Sequence, residues 1–332
     1  MPHESTNNLA IYDTIIVGGG AAGLSAAIYA GRYLMRTLVL EGPTPGGETA
    51  VAWLVENYPG VPSIDGYELM QKMRSQAVAA GAEIATAAAT SVQRDAHCFT
   101  VSTDQPTTYL GKTVIIAQGS TRRRLGLPRE KELTGHGISY CATCDAPLYR
   151  GKTVAIIGGG DASVKGAILA GAYASRVFLI VRGSKLRAEP VNEVKMKSQR
   201  NTEILFSTEV REILGDGQLR GIRLSQPYGG SDTLDVQGLF VEIGAEPNTA
   251  IATTLGISVD SQGYIKVNSM MHTSVHGVYA AGDITNGAGN FRQDIVAAAQ
   301  GALAATAAYH DLGVHGGEAC ELHARPPARP QR

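Results

Sequence analysis

The sequence predicts an α/β protein of two doubly wound units, the first interrupted by the second. A β-branched run, a three-glycine turn and an alanine-rich helix follow one another from Tyr12, and the same succession recurs from Thr153. Near the C-terminus a further strand runs into Gly-Asp and a last long helix, returning to the theme of the first unit. The 332 residues exceed one typical domain.

Composition narrows the function classes. A net charge of −1 offers no general attraction to nucleic acid or to an acidic membrane surface. The 40 glycines suit tight turns and closely packed helices. Four cysteines, two of them in a Cys-x-x-Cys, fit a reducing compartment better than a stapled secreted domain. With no secretory apolar region near the start and no stretch long enough to span a bilayer, the expectation is a soluble, cytoplasmic protein.

In the first unit Ile15-Ile16-Val17 reads as a buried parallel strand, and Leu24 to Tyr33 as a helix. Between them stand Gly18, Gly19, Gly20, Ala21, Ala22 and Gly23, a GxGxxG. Thr37 to Leu40 reads as the second strand, closed by Glu41 and Gly42. This is the dinucleotide fingerprint of a Rossmann-like unit: glycines let the backbone approach a pyrophosphate, and the acid accepts hydrogen bonds from a ribose. The pyrophosphate charge would sit on the helix N-terminus.

Gly46-Gly47-Glu48 and Val55 to Gly60, which includes Asn57, read as a loop and turn where a cofactor's far half would lie. Trp53 reads as a core or interface residue. Gly66 to Ala80 has helical spacing with Leu69, Met73 and Ala77 as a core stripe, and Ile84 to Val101 alternates as antiparallel strands. Cys98 on one of these reads as a small buried hydrophobe. Thr113 to Ala117 is a strand ending at Gln118-Gly119, and Thr121-Arg122-Arg123-Arg124 reads as a solvated linker face, with an acidic partner as the alternative.

Cys141-Ala142-Thr143-Cys144-Asp145 follows. Two cysteines at this spacing can close a small disulfide, and the spacing can depress one thiol's pKa. A zinc site would want a second pair of ligands, and an inert structural pair is the other alternative. The redox dithiol is the preferred reading, with Asp145 placed to trade a proton.

The second unit repeats the first, with differences. Thr153 to Ile157 is the strand, Gly158-Gly159-Gly160-Asp161-Ala162-Ser163 the turn, Val164 to Ala174 the helix and Arg176 to Ile180 the next strand. The acid of the first unit lies 41 − 18 = 23 positions after the first glycine, and 158 + 23 = 181 is Val181. A ribose-binding acid is therefore absent, while Arg182, Lys185 and Arg187 follow. That pattern leans away from NAD and towards either a 2′-phosphate or a turn that has lost nucleotide binding. Finally, Gly277 to Asp283 is a strand ending in Gly282-Asp283, suited to a ribityl or ribose hydroxyl. Asn290 to Asp294, including Arg292, Gln293 and Asp294, opens a helix from Ile295 to Tyr309. Residues after Leu312, with Cys320, read as a mobile tail.

In this order, the fingerprint, Gly-Gly-x, ENYPG, CATCD, second GGG turn, Ala-Gly-Asp and Arg-Gln resemble the low-molecular-weight thioredoxin reductases, from about Tyr12 to Leu312. The resemblance implies a homodimer of two Rossmann-like (three-layer ββα) dinucleotide-binding domains. The FAD domain would be discontinuous, at 1–120 and 247–312, with a central NAD(P)H-like domain at 121–246 carrying the dithiol and a tail at 313–332. It implies that Cys144 faces the flavin as a charge-transfer thiolate, Cys141 attacks the disulfide of a thioredoxin-like partner, and Asp145 is the general acid. One domain would rotate against the other, so that the dithiol alternates between flavin and partner.

The sequence departs from that family where NADPH binds. Val181-Arg182-Gly183-Ser184-Lys185-Leu186-Arg187 stands for HRRxxxR, lacking the histidine and the second arginine. Each lost charge-assisted bond costs about 1.5–3 kcal/mol. Glu48, Gln118 and Asp294 are lesser departures nearer the flavin; ionised carboxylates there would lower its potential. The expected function is an FAD-dependent thiol-disulfide oxidoreductase with a donor other than NADPH, either reduced ferredoxin or an unknown one, as in relatives that use ferredoxin or have no settled donor. An ordinary NADPH-dependent reductase and a dithiol oxidase using oxygen are the alternatives.

Overall fold

The computed structural model describes residues 10–314 apart from 53, 96, 97 and 290. It divides into two compact units. The first takes the chain up to Ala50, Leu54–Ser120 and the chain from Pro247; the second takes Thr121–Glu246 with Val51 and Ala52. Trp53 and Cys320 lie outside the described residues.

The chain enters the first unit through β1 (Ile11–Val17), α1 (Ala21–Arg32) and β2 (Thr37–Glu41). The helix begins three residues earlier than periodicity alone suggested, because Gly20 caps it in an extended conformation and the first turn is Ala21-Ala22-Gly23 itself. A short α2 (Gly47–Ala50) replaces the expected loop, its start permitted by positive φ at Gly46 and Gly47. Next comes α3 (Gly66–Ala79), capped by Asp65, whose side chain accepts from the Glu68 amide at 3.2 Å. Its Leu69, Met73 and Ala77 are buried as the stripe requires.

The alternating stretch resolves into β3 (Glu83–Thr86), β4 (Ala89–Arg94) and β5 (Phe99–Thr103), followed by β6 (Thr108–Ile116). Of these only β4, β5 and the first half of β6 pair antiparallel; β3 joins β2 in parallel, correcting the expectation. Alternation reports one exposed face and says nothing of strand direction. Cys98 is buried beside β5.

The second unit runs β7 (Ser120–Arg122), α4 (Glu130–Leu133), β8 (Ile138–Ser139), α5 (Ala142–Asp145), a 3₁₀ turn Ala146–Tyr149, and β9 (Thr153–Ile157). It continues with α6 (Asp161–Gly171), β10 (Arg176–Val181), α7 (Pro190–Lys197) and β11 (Thr202–Phe206). Then come β12 (Val210–Gly215), β13 (Leu219–Tyr228), β14 (Ser231–Asp235), β15 (Gly238–Val241) and β16 (Ala245–Pro247). Its main sheet, β11-β10-β9-β15-β8, is wholly parallel. A separate antiparallel sheet β12-β13-β14 helps cover a core around Leu133, Phe178 and Ile222.

The chain then returns to the first unit with α8 (Ala250–Thr254), β17 (Val278–Ala280) and α9 (Asp294–Val314). Strand β17 pairs in parallel with the second half of β6, completing the parallel order β3-β2-β1-β6-β17. Helix α9 runs two residues past Leu312, into the stretch read as tail. It packs on α1 through glycine. A Cβ on Gly301 would meet the Ala22 carbonyl oxygen at 2.0 Å, and Ser25 donates to the Ala298 carbonyl at 2.7 Å.

Candidate active site

In each unit the strand-end residues expected from the sequence to form a site gather at the carboxyl edge of the parallel strands, where an open α/β sheet binds its ligands. In the first unit that edge brings together Gly18 after β1, Glu41 ending β2, Gln118-Gly119 after β6, and Gly282-Asp283 after β17. Substituting the turn glycines would be prohibitive: a Cβ on Gly18 would sit 2.2 Å from the Ala117 oxygen, and one on Gly23 1.8 Å from that of Gly18. Gly20, by contrast, has nothing nearer than 3.9 Å, which leaves an open approach to the uncapped amide end of α1. No acidic residue stands in that helix's first turn, so the positive end is available to a pyrophosphate.

Glu41 is buried and lies against Gly19. It accepts from the Gly46 amide at 3.0 Å and pairs with Arg74 of α3. Arg74 was missed by sequence reasoning, since nothing local marks one arginine on a helix as the partner of a strand-end acid. Across the same unit, Asn57 donates to Gln293 at 2.9 Å and Thr49 to Asp294 at 2.6 Å. Gly42, Gly47 and Glu48 lie along the chain between Glu41 and Thr49, and Arg292 packs its guanidinium 4.0 Å from the Tyr264 ring centre. Burial raises the Asp283 carboxyl above its usual range. Asp294 and Glu48 push the same way, against Arg292.

Two members of this set have buried polar atoms with no partner among the described residues: Gln118 Oε1 and Arg292 Nε. Buried polar atoms are paired as a rule. Orphans at two predicted cofactor residues, together with the open glycine cradle, fit a flavin dinucleotide.

In the second unit the same edge holds Gly158 after β9, Val181 ending β10, Glu242 after β15, and the dithiol after β8. Val181 occupies the place of Glu41: a Cβ on Gly159 would meet Val181 Cγ1 at 2.9 Å, as one on Gly19 would meet Glu41 Oε1 at 2.6 Å. Asp161 opens α6 with its carboxylate engaged by the Glu189 amide at 2.8 Å and by Asn192 at 3.2 Å. The Arg187 amide bonds the Gly159 carbonyl at 2.7 Å, folding the basic segment back over the turn. Ser163 donates to the Gly160 carbonyl, and Ala162 completes the first turn of α6. Arg182 and Arg187 are both exposed. At this edge Val181 is apolar, Gly183 carries no guanidinium, and the Asp161 carboxylate is engaged within the unit.

Cys141 and Cys144 form a disulfide. Cys141 caps α5, its sulfur accepting from the Cys144 amide at 3.1 Å; Cys144 is exposed, Cys141 and Asp145 half-buried. Ser139 holds the Cys141 amide at 3.0 Å, and Gly166 of α6 lets Ala142 pack against it, since a Cβ there would lie 2.9 Å away. Arg122, expected on a solvated face, instead pairs with buried Glu242, whose other oxygen accepts from the Ala142 amide at 3.3 Å. The arginine run is thus partnered, with Arg124 over the Tyr140 ring at 5.6 Å and Arg123 facing Glu246 at 3.6 Å.

A disulfide on one parallel-sheet edge and a dinucleotide cradle on another define a flavin-linked disulfide oxidoreductase. The chain belongs to the pyridine nucleotide-disulphide oxidoreductase family, whose model matches residues 12–305. It is 39% identical over 299 residues, 90% of this chain and 96% of the other, to the thioredoxin reductase of Treponema pallidum. Among solved structures, the thioredoxin reductase of Lactococcus lactis superposes with a TM-score of 0.87 at 32% identity, covering 91% and 99% of the two chains. A ferredoxin-flavin thioredoxin reductase of Clostridium acetobutylicum gives 0.50 at 28% identity, covering 92% and 100%. The protein is accordingly a thioredoxin reductase-like flavoprotein disulfide oxidoreductase. Among the described residues no helix is long and apolar enough to cross a membrane.

Proposed function

We propose that this protein reduces the disulfide of a thioredoxin-like partner through Cys141 and Cys144, with electrons that enter through FAD from a donor other than NADPH. The observation behind the choice of donor is Val181, which sets an uncharged side chain against Gly159 where a nucleotide-binding turn needs a polar contact to ribose or phosphate. Reduced ferredoxin is the donor class we favour, in line with the printed name of the Clostridium relative.

In this reading Gly18, Gly20 and Gly23 and the amide end of α1 hold the pyrophosphate, Glu41 the ribose, and Asp283, Gln118, Arg292 and Gln293 the remainder of FAD. The flavin, when bound, supplies two-electron reduction of the Cys141–Cys144 disulfide. The protein's residues then complete the transfer. The Cys141 thiolate attacks the partner disulfide, one partner sulfur leaves as thiolate, and the Cys144 thiolate displaces the other, re-forming the internal disulfide. Asp145 supplies the proton the leaving sulfur requires.

Arg182 and Arg187 remain exposed at the carboxyl edge, and they favour an NADPH-dependent reductase as the second reading. Anaerobic mixing of the flavoprotein with excess NADPH separates the two. No bleaching of the long-wavelength flavin band with NADPH or NADH, but bleaching with reduced ferredoxin, is the expected result. Fast NADPH bleaching, sustained when a thioredoxin is added, would sink the proposal.

A further inference from the structure

Cys98 is more than the small buried hydrophobe expected from its strand position. Its sulfur is disulfide-bonded, and among the described residues no cysteine is free. The chain has four cysteines, and Cys141 and Cys144 are bonded to each other. Within one chain the only cysteine left for Cys98 is Cys320.

The packing of the first unit brings the end of α9 towards Cys98. Phe99, the next residue after Cys98, pairs with Gly111 of β6, level with Tyr12 near the start of β1. This is the amino edge of the parallel strands, opposite the edge that carries Gly18, Glu41 and Asp283. The Phe99 ring lies against Gly277, where a Cβ would meet it at 3.0 Å, and Gly277 leads directly into β17. Two residues on, Tyr279 donates to Asp311 of α9 at 2.5 Å, and His272 Nε2 lies 3.1 Å from the same oxygen. The start of β5 and the last turn of α9 are thus held at one short strand. Cys320 follows Asp311 by 320 − 311 = 9 positions, a reach of up to about 30 Å of extended chain.

We propose that Cys98 and Cys320 form a second disulfide, remote from the cofactor edge, that latches the end of the chain onto the first unit and opens under reduction. The bond closes a loop of 320 − 98 = 222 residues, which contains all of Thr121–Glu246. Closing so long a loop removes much freedom from the unfolded chain. Exchange with a low-molecular-weight disulfide such as oxidised glutathione makes the bond. Cys98 is 8% exposed, which leaves Cys320 as the first attacker. Its thiolate takes one sulfur of the external disulfide and releases the other as thiolate; the Cys98 thiolate then displaces the bound thiol from Cys320. Two electrons pass to the external disulfide, and the two cysteine protons go to the departing sulfurs. Excess thiol runs the same steps backwards. The inference rests neither on the flavin nor on the donor in the proposed function, so the NADPH experiment above leaves it untouched.

The test uses the full-length flavoprotein purified without reductant, denatured in excess N-ethylmaleimide and digested without reduction. Peptide mass spectrometry should find the Cys98 peptide joined to the Cys320 peptide, with maleimide on neither sulfur. Maleimide on both, Cys98 joined to a second copy's Cys98, or Cys98 joined to Cys141 or Cys144 would overturn the proposal. Treating the native protein first with dithiothreitol should leave maleimide on both; a bond that survives would refute the latch. Thermal unfolding gives an independent reading. Cys320→Ser keeps the Cys141–Cys144 disulfide and should melt about 5–10 °C below the unreduced parent, a gap that closes once both are reduced. Equal melting temperatures without reductant would also count against the latch, and if that variant misfolds the peptide map of the parent still decides.

Discussion

Glu41 and Val181 stand at the same place in the two parallel sheets, each ending the strand that follows the three-glycine turn and its helix, and each facing the middle glycine of that turn. The backbones agree and the side chains do not. One edge presents a buried carboxylate able to accept from a ribose; the other presents an isopropyl group. That difference in side chain separates two turns whose backbones are alike.

Glu41→Ala should weaken FAD binding by about tenfold to a hundredfold, the loss of one or two charge-assisted hydrogen bonds. Dialysis followed by flavin fluorescence reads the dissociation constant. An unchanged value would remove Glu41 from the site.

Gly183 has room for a side chain: a Cβ there would find its nearest neighbour, the Lys185 oxygen, 3.7 Å away. Gly183→Arg restores one guanidinium at no steric cost and should tighten NADPH binding, read by calorimetric titration, by about tenfold. If Gly183→Arg combined with Val181→His leaves NADPH inert, the defect lies elsewhere than in this segment.

Asp294 accepts from Thr49 and, with Glu48, raises the Asp283 carboxyl after burial has done so. Asp294→Asn keeps the Thr49 contact and removes the charge. A rise of about 30 mV in the flavin midpoint potential, tenfold in a two-electron equilibrium, is expected by spectroelectrochemistry. A fall, or no change, would show that this carboxylate does not act on the flavin.

Helix packing is tested by two glycines of α9. Gly301→Ala forces a Cβ to 2.0 Å from the Ala22 oxygen and should destabilise the fold by about 2 kcal/mol or more. Gly313→Ala meets nothing within 4 Å and should stabilise by up to about 1 kcal/mol. Thermal unfolding of the two variants should bracket the parent.

Tyr12 donates to Glu83 at 2.8 Å and Tyr140 to Glu130 at 2.6 Å, one pair in each unit. Burial first, then these carboxylates, raise both phenols from 10.0 to about 12. Above pH 10 the unfolded chain releases these protons before the folded one does. The stability they contribute is therefore full below pH 10 and lost as pH rises to about 12. Alkaline denaturation should steepen in that window and flatten in the Tyr12→Phe, Tyr140→Phe variant.

Much of this molecule is legible in one dimension because its signals are local. A β-branched run, glycines at fixed spacing and a strand-end acid are read along the chain, and each imposes its geometry on the backbone beside it. The absence of a carboxylate at Val181 is likewise a matter of counting from Gly158. What required tertiary structure is whatever depends on charges that meet from distant strands. Arg74 reaches Glu41 from another element, β3 runs parallel to β2 despite its alternating pattern, and Arg122 turns inward to Glu242, 120 residues away. No spacing rule encodes such a meeting, because the low-dielectric edge where the charges must find each other exists only once the parallel strands have aligned.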